Sequence, residues 1–165
     1  MTSHLTHVHA PDGIAASPQY SHVVWGTGRF VAISGQCALD ASGAVVGEGD
    51  AVAQARQVFA NLDRCLAAAG AGFRDVVKLT YFVTDVAHLP AIRDARDAHF
   101  AGAPLPASSA VQVSALVRPE LLVEIEAFAL VPEPATESGV ATESGVVGGA
   151  ARPYLRSVGG AEPAE

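Results

Sequence analysis

Cysteine is scarce in this chain: Cys37 and Cys65 are the only two in 165 residues, and neither belongs to a Cys-x-x-Cys pair. That excludes a disulfide framework and a thiolate metal knuckle, and it suits free thiols in a reducing compartment. Charge is scarce as well, at 16% of residues against the usual quarter for a soluble domain. What charge there is leans acidic, with 10 Lys and Arg against 17 Asp and Glu for a net charge of −7. No dense basic block occurs, so the counterion-displacing surface that nucleic acid requires is missing. Half the residues are hydrophobic, yet no run approaches the roughly 20 apolar residues of a membrane-spanning helix. Residues 1–10 also lack a charged-then-apolar leader. The expectation is a cytoplasmic protein with neither membrane nor nucleic-acid partners. So few charges on so apolar a chain suggest that some surface is covered by other copies.

What is present reads as one domain. Residues 1–16 are polar and punctuated by Pro11 and Asp12-Gly13, and read as a flexible N-terminal arm. Two β-rich runs, 22–25 and 30–34, flank a Gly-containing turn and suggest a hairpin, with Trp25 and Phe30 in the core. Over 51–69 the apolar period becomes helical: Val58, Phe59, Leu62 and Leu66 share a face, and Gln54, Gln57, Asn61 and Arg64 fall on or near the other. Asp50 is placed to cap this helix and Gly70 to stop it. An alternating run follows over 75–84, then a second helix over 89–100 with Pro90 in its first turn. Two last strands, 109–117 and 122–131, complete an α+β pattern with both helices on one face of a mixed sheet. Beyond Val131 the motif ATESGV occurs twice in succession amid Gly and Ala. Residues 132–165 read as a disordered low-complexity tail, leaving 17–131 as the folded domain.

Five stretches together carry a resemblance: YSHVV from Tyr20, ISGQ from Ile33, QARQVFANLDRCLAAAG from Gln54, DVVKLTYFVTD from Asp75 and LLVEIEA from Leu121. In order and spacing they resemble the Rid (YjgF) family. The resemblance implies a chorismate-mutase-like fold assembled as a homotrimeric barrel, with clefts between subunits. It implies hydrolysis of small reactive enamines and imines with release of ammonia, and neither metal nor organic cofactor.

Residue by residue, Glu124 matches the family glutamate that handles the hydrolytic water, and a carboxylate on a partly apolar strand face suits general acid–base work. Glu126 shares that face as a lesser candidate. Tyr20 matches a tyrosine at the pocket mouth. Gly35 and Gln36 end ISGQ, where glycine permits close backbone approach and the amide can meet a ligand, although a strand-end bulge is the alternative for both and the better account of Gly35. The deaminating branch carries Pro-Ala-Arg-Ser before the penultimate strand, its arginine gripping the substrate carboxylate. This chain has Pro106-Ala107-Ser108-Ser109. A hydroxyl replaces a bidentate, charge-assisted clamp, a loss of about 2–4 kcal/mol for a carboxylate substrate. The expectation is a substrate preference shifted away from 2-imino acids, with Ser108 and Ser109 hydrogen-bonding a small polar ligand. A trimer that binds a metabolite or protein without catalysis is the alternative. Arg118 cannot stand in within one chain, since ten extended residues span about 33 Å. Ala110 stands where many relatives carry cysteine, which excludes a thiol mechanism at that place. His4, His7 and His9 alternate but have no acidic or Cys partner at ligand spacing, so no metal site is expected.

Overall fold

The computed structural model describes residues 4–133. The ATESGV repeat and almost all of the expected tail lie outside the described residues.

Among the described residues, six strands and two α-helices are formed: β1 (Leu5–Val8), β2 (Val23–Gly26), β3 (Arg29–Cys37), α1 (Ala51–Ala68), β4 (Val76–Val83), α2 (Leu89–Phe100), β5 (Ala107–Gln112) and β6 (Val123–Val131). Four of them make one mixed sheet in the order β3-β6-β4-β5, with β6 antiparallel to both neighbours and β4 parallel to β5. The alternation along β6 sets the two faces. Val123, Ile125, Ala127 and Ala129 are buried under the helices, whereas Glu124, Glu126 and Phe128 between them are half-buried on the far side. Val58, Phe59, Leu62 and Leu66 of α1 fill the core against Leu79 and Ile125.

Both helix boundaries arise from local chemistry. Asp50 Oδ1 accepts from the amides of Val52 and Ala53 at 2.9 and 3.0 Å, satisfying donors that the first turn leaves unpaired. Gly70, at φ 67°, ends α1 in the left-handed region that a side chain would strain. Pro90 sits in the first turn of α2, where its missing N–H costs nothing.

Four expectations are corrected. The segment read as an irregular arm contains β1, and β2 pairs with β1 antiparallel rather than forming a hairpin with β3. His4 anchors this ribbon: its Nε2 lies 2.7 Å from the Leu130 carbonyl and 3.6 Å from the buried carboxylate of Asp75. Trp25 and Phe30 are not core residues. They are 52% and 62% exposed, because alternation assigns a residue to a face without saying what covers that face. The fifth strand stops at Gln112 rather than continuing to residue 117.

His7 gives the ribbon a pH dependence. Its Nδ1 lies 3.2 Å from the Leu105 carbonyl. Burial holds its pKa below the ordinary value, the Leu105 contact opposes this, and His9 adds to it. The folded state therefore prefers the neutral ring, and the unfolded segment binds the proton more readily. Stability is intact above the unfolded value of about 6.5 and declines as pH falls through it towards the folded value. Protection factors of the β1 amides are expected to drop a few-fold between about pH 7.5 and 5 in the wild type and to hold level in His7→Gln.

Candidate functional site

The ISGQ segment lies where β3 loses register with β6, between Ile33 and Gln36. The irregularity brings Gly35 under the side chain of Glu124. A Cβ added at Gly35 would clash with Glu124 Oε1 and stand only 2.7 Å from the carboxyl carbon, so glycine is what lets the carboxylate lie across the strand. The other oxygen, Oε2, accepts from the Cys37 thiol at 3.5 Å. Burial, followed by the Glu124 charge, pushes that thiol up to about 12. Cys37 is therefore a protonated donor that fixes the carboxylate, not a thiolate nucleophile. Gln36 turns its amide back onto the Ser34 carbonyl at 3.1 Å.

This arrangement opens on a cleft of about 810 Å³ lined by Gly35, Gln36, Cys37 and Glu124 on the sheet side and by Asn61 and Arg64 from α1. Helical spacing places Gln57, Asn61 and Arg64 on one flank of α1. Asn61 Nδ2 donates to the carbonyls of Cys37 and Leu39 at 3.1 and 2.9 Å, and its Oδ1 accepts from Gln57 and Arg64. The flank thus clamps the chain just past the bulge and holds Cys37 against Glu124. Gln54, expected near the polar side, is fully buried instead. Its amide reaches the Glu120 carbonyl at 2.7 Å and accepts from the Leu122 amide at 2.8 Å, which sets the entry into β6 two residues before Glu124.

A second, smaller pocket of about 90 Å³ lies elsewhere in the same chain, lined by Tyr20, Ser108, Tyr81, Arg93 and Arg96 among others. Tyr20 reaches it because Ser21 is tacked to the loop before β5. The Ser21 hydroxyl donates to the Leu105 carbonyl at 2.7 Å, and its amide donates to Pro106 at 3.2 Å. Tyr20 also meets His22 edge-on, with ring centroids 5.1 Å apart. Arg96 closes the pocket wall by donating to the Gln19 carbonyl at 2.7 Å and to Asp97.

The residues singled out from sequence thus separate into three places. Gly35, Gln36 and Glu124 come together in the large cleft, and Tyr20 and Ser108 in the small pocket. Ser109 belongs to neither: it points to the far side of the sheet, where its Oγ accepts from Lys78 Nζ at 2.7 Å. Parallel pairing explains the parting of the two serines, since Ser108 sits opposite the buried Leu79 and Ser109 opposite the half-buried Thr80. Arg118 donates to the Gly43 carbonyl at 2.9 Å and makes itself felt at Cys37, which places it by the large cleft rather than beside Ser108. Among the described residues no group of His, Cys, Asp and Glu could hold a metal ion. Sequence reasoning missed Cys37, Asn61, Tyr81, Arg93 and Arg96. The i, i+3, i+4, i+7 spacing of Leu89, Ile92, Arg93 and Arg96 marks one face of α2, and that was the available signal for the last two.

Comparison with known proteins places the same span in a group of relatives. A family model described as Endoribonuclease L-PSP matches residues 10–131. Protein DfrA of Myxococcus xanthus is 40% identical over 124 residues, covering 74% of this chain and 93% of its own. The 2-iminobutanoate/2-iminopropanoate deaminase of Mus musculus is 40% identical over 116 residues, or 70% and 84% of the two chains. The crystal structure of YyfB from Yersinia pestis, described as a conserved Rid-family protein of unknown function, superimposes with a TM-score of 0.71 at 41% identity. It covers 78% of this chain and 99% of its own.

Proposed function

We propose that this chain, which belongs to the Rid (YjgF; Endoribonuclease L-PSP) family, hydrolyses the C=N bond of small reactive enamines and imines in a cleft completed by a neighbouring copy. The observation that carries the reading is the posture of Glu124. One oxygen is held by the Cys37 thiol, and the other lies over a glycine in an open cleft of about 810 Å³. A carboxylate restrained at one oxygen leaves the second to take a proton from water. The water oxygen adds to the imine carbon as its proton passes to Glu124, which hands that proton to the nitrogen; Glu124 then carries the adduct's hydroxyl proton to the same nitrogen. The tetrahedral adduct then collapses to a carbonyl and expels ammonia.

The reading also accounts for the divided site. In one chain Glu124 and the Tyr20–Ser108 pair line different pockets, which suits a cleft whose two walls come from two copies of a homotrimer. The exposed Phe30 and Val111 on the outward face of the sheet suit the same assembly. Ser108 in place of an arginine supports a substrate preference altered relative to the 2-imino acid deaminases.

The test is the rate at which the protein accelerates loss of 2-iminopropionate generated in situ, read as the fall in semicarbazone formed by a semicarbazide trap. A first variant probes the posture itself. Gly35→Ala displaces the Glu124 carboxylate and is expected to cost roughly 10- to 100-fold in kcat/KM, about 1.4–2.7 kcal/mol. Gly72→Ala, whose added methyl meets nothing within 4 Å, leaves the rate unchanged. Equal rates in the two variants would remove the close approach over Gly35 from the mechanism.

A further inference from the structure

The small pocket between β4, β5 and α2 is lined by the donors of Tyr81, Ser108, Arg93 and Arg96, while the acceptor oxygens of Gln19 are already taken up by Arg96. Tyr81 is 5% exposed, and its hydroxyl has no hydrogen-bond partner among the described residues. Burial pushes the phenol up to about 12, so it keeps its proton and has it to give. Ser108 adds a hydroxyl from β5. Arg96 is 3% exposed and already committed, with its guanidinium shared between Gln19 and Asp97 at 2.7–3.1 Å; it lies beside the phenol without hydrogen-bond geometry. Arg93 differs. It is half-buried, it lines the same pocket as Tyr81, and among the described residues its guanidinium forms neither hydrogen bond nor ion pair. A buried O–H without an acceptor is unfavourable, and an uncommitted guanidinium beside it asks for the same partner, an anion. At about 30 Å³ per water, a volume of about 90 Å³ takes three heavy atoms, the size of one carboxylate group.

We propose that this pocket receives a small carboxylate, gripped by Arg93 from α2 with the Tyr81 and Ser108 hydroxyls as supporting donors. The anion-recognising cation has moved from the β5 strand, where serine now stands, to the helix packed behind it. The assignment of that carboxylate to the substrate rests on the hydrolase reading; the anion site itself does not. It reverses the expectation drawn from Ser108 as far as the carboxylate is concerned: recognition of an acidic substrate is retained, through different residues, and the altered preference lies in the rest of the molecule.

The test is calorimetric titration of the full chain with pyruvate and with its neutral isostere pyruvamide. Wild type is expected to bind pyruvate at least about 10-fold more tightly than the amide. Arg93→Gln should abolish that preference by weakening pyruvate about 10- to 100-fold with pyruvamide unchanged, and Arg93→Lys should restore part of it. Tyr81→Phe separates a ligand role from a structural one. Removing the orphaned hydroxyl should hold or raise the thermal midpoint while pyruvate affinity falls several-fold. Pyruvate and pyruvamide binding alike, or Arg93→Gln binding pyruvate as wild type does, would overturn the proposal. Glu124→Gln is run in parallel and should keep pyruvate binding. If it also kept turnover, Glu124 would not be the base and the anion site would stand; a wild type that bound pyruvate but gave no imine hydrolysis would overturn the hydrolase reading alone.

Discussion

Glutamine at position 124 is expected to lower imine hydrolysis by roughly 100- to 10,000-fold, the range over which a positioned general base contributes. The change is chosen to spare everything else. Gln has the length and volume of Glu, the Cys37 thiol can still donate to its amide oxygen, and the half-buried site leaves the NH2 in contact with solvent. What disappears is the ability to accept a proton from water. Loss of activity should therefore appear in kcat as well as kcat/KM, with the thermal midpoint within a few degrees of wild type. Its contrast with Gly35→Ala is informative, because that variant keeps the carboxylate and loses only its placement. A Glu124→Gln protein that retained turnover within a factor of three would show that Glu124 is not the base. The protonated, partner-bound state of Cys37 argues against moving that role to the neighbouring sulfur.

How much of this was legible in the sequence depends on the range of the interaction involved. Asp50, Gly70 and Pro90 act within one helical turn of their own positions, and both helices came out where those residues put them. The alternation of β4 and β6 was readable too, since Leu79, Tyr81, Val83, Ile125 and Ala127 are all buried. Pairing partners were not readable. Leu5–Val8 is four residues long with histidines flanking and within it, and nothing local announces that it takes β2 away from β3. Gln54 looked solvent-facing because its polarity was visible and its three backbone partners, one of them 68 residues away, were not. The site shows the same division. Gly35 and Glu124 were identifiable as candidates, but their near contact depends on a register shift between strands far apart in the chain. Arg93 and Arg96 were not singled out, because the pocket they line exists only once β5 and the Tyr20 segment pack over α2.

The other large effect is expected from Phe30→Asp. Phe30 is 62% exposed on β3, its ring 5.6 Å from that of Phe128 on the outward face of the sheet, and Val111 on β5 adds a further exposed apolar side chain at 43%. An aromatic pair so open to water in a chain with so few charges is the kind of surface that another copy covers. Wild type is expected to scatter light as three chains at micromolar concentration. A carboxylate at position 30 would have to be buried without a partner in each interface, at several kcal/mol apiece, so the variant is expected to scatter as a single chain. Hydrolysis should fall with the assembly, because Glu124 and the Tyr20–Ser108 pair occupy different pockets of one chain and meet only if separate copies bring them together. The β1–β2 ribbon and the core beneath the helices do not involve Phe30, so the isolated chain should keep its helical circular dichroism. A wild type that scattered as one chain and still hydrolysed imines would place the whole reaction in the Glu124 cleft, and a folded, monomeric Phe30→Asp with full activity would do the same.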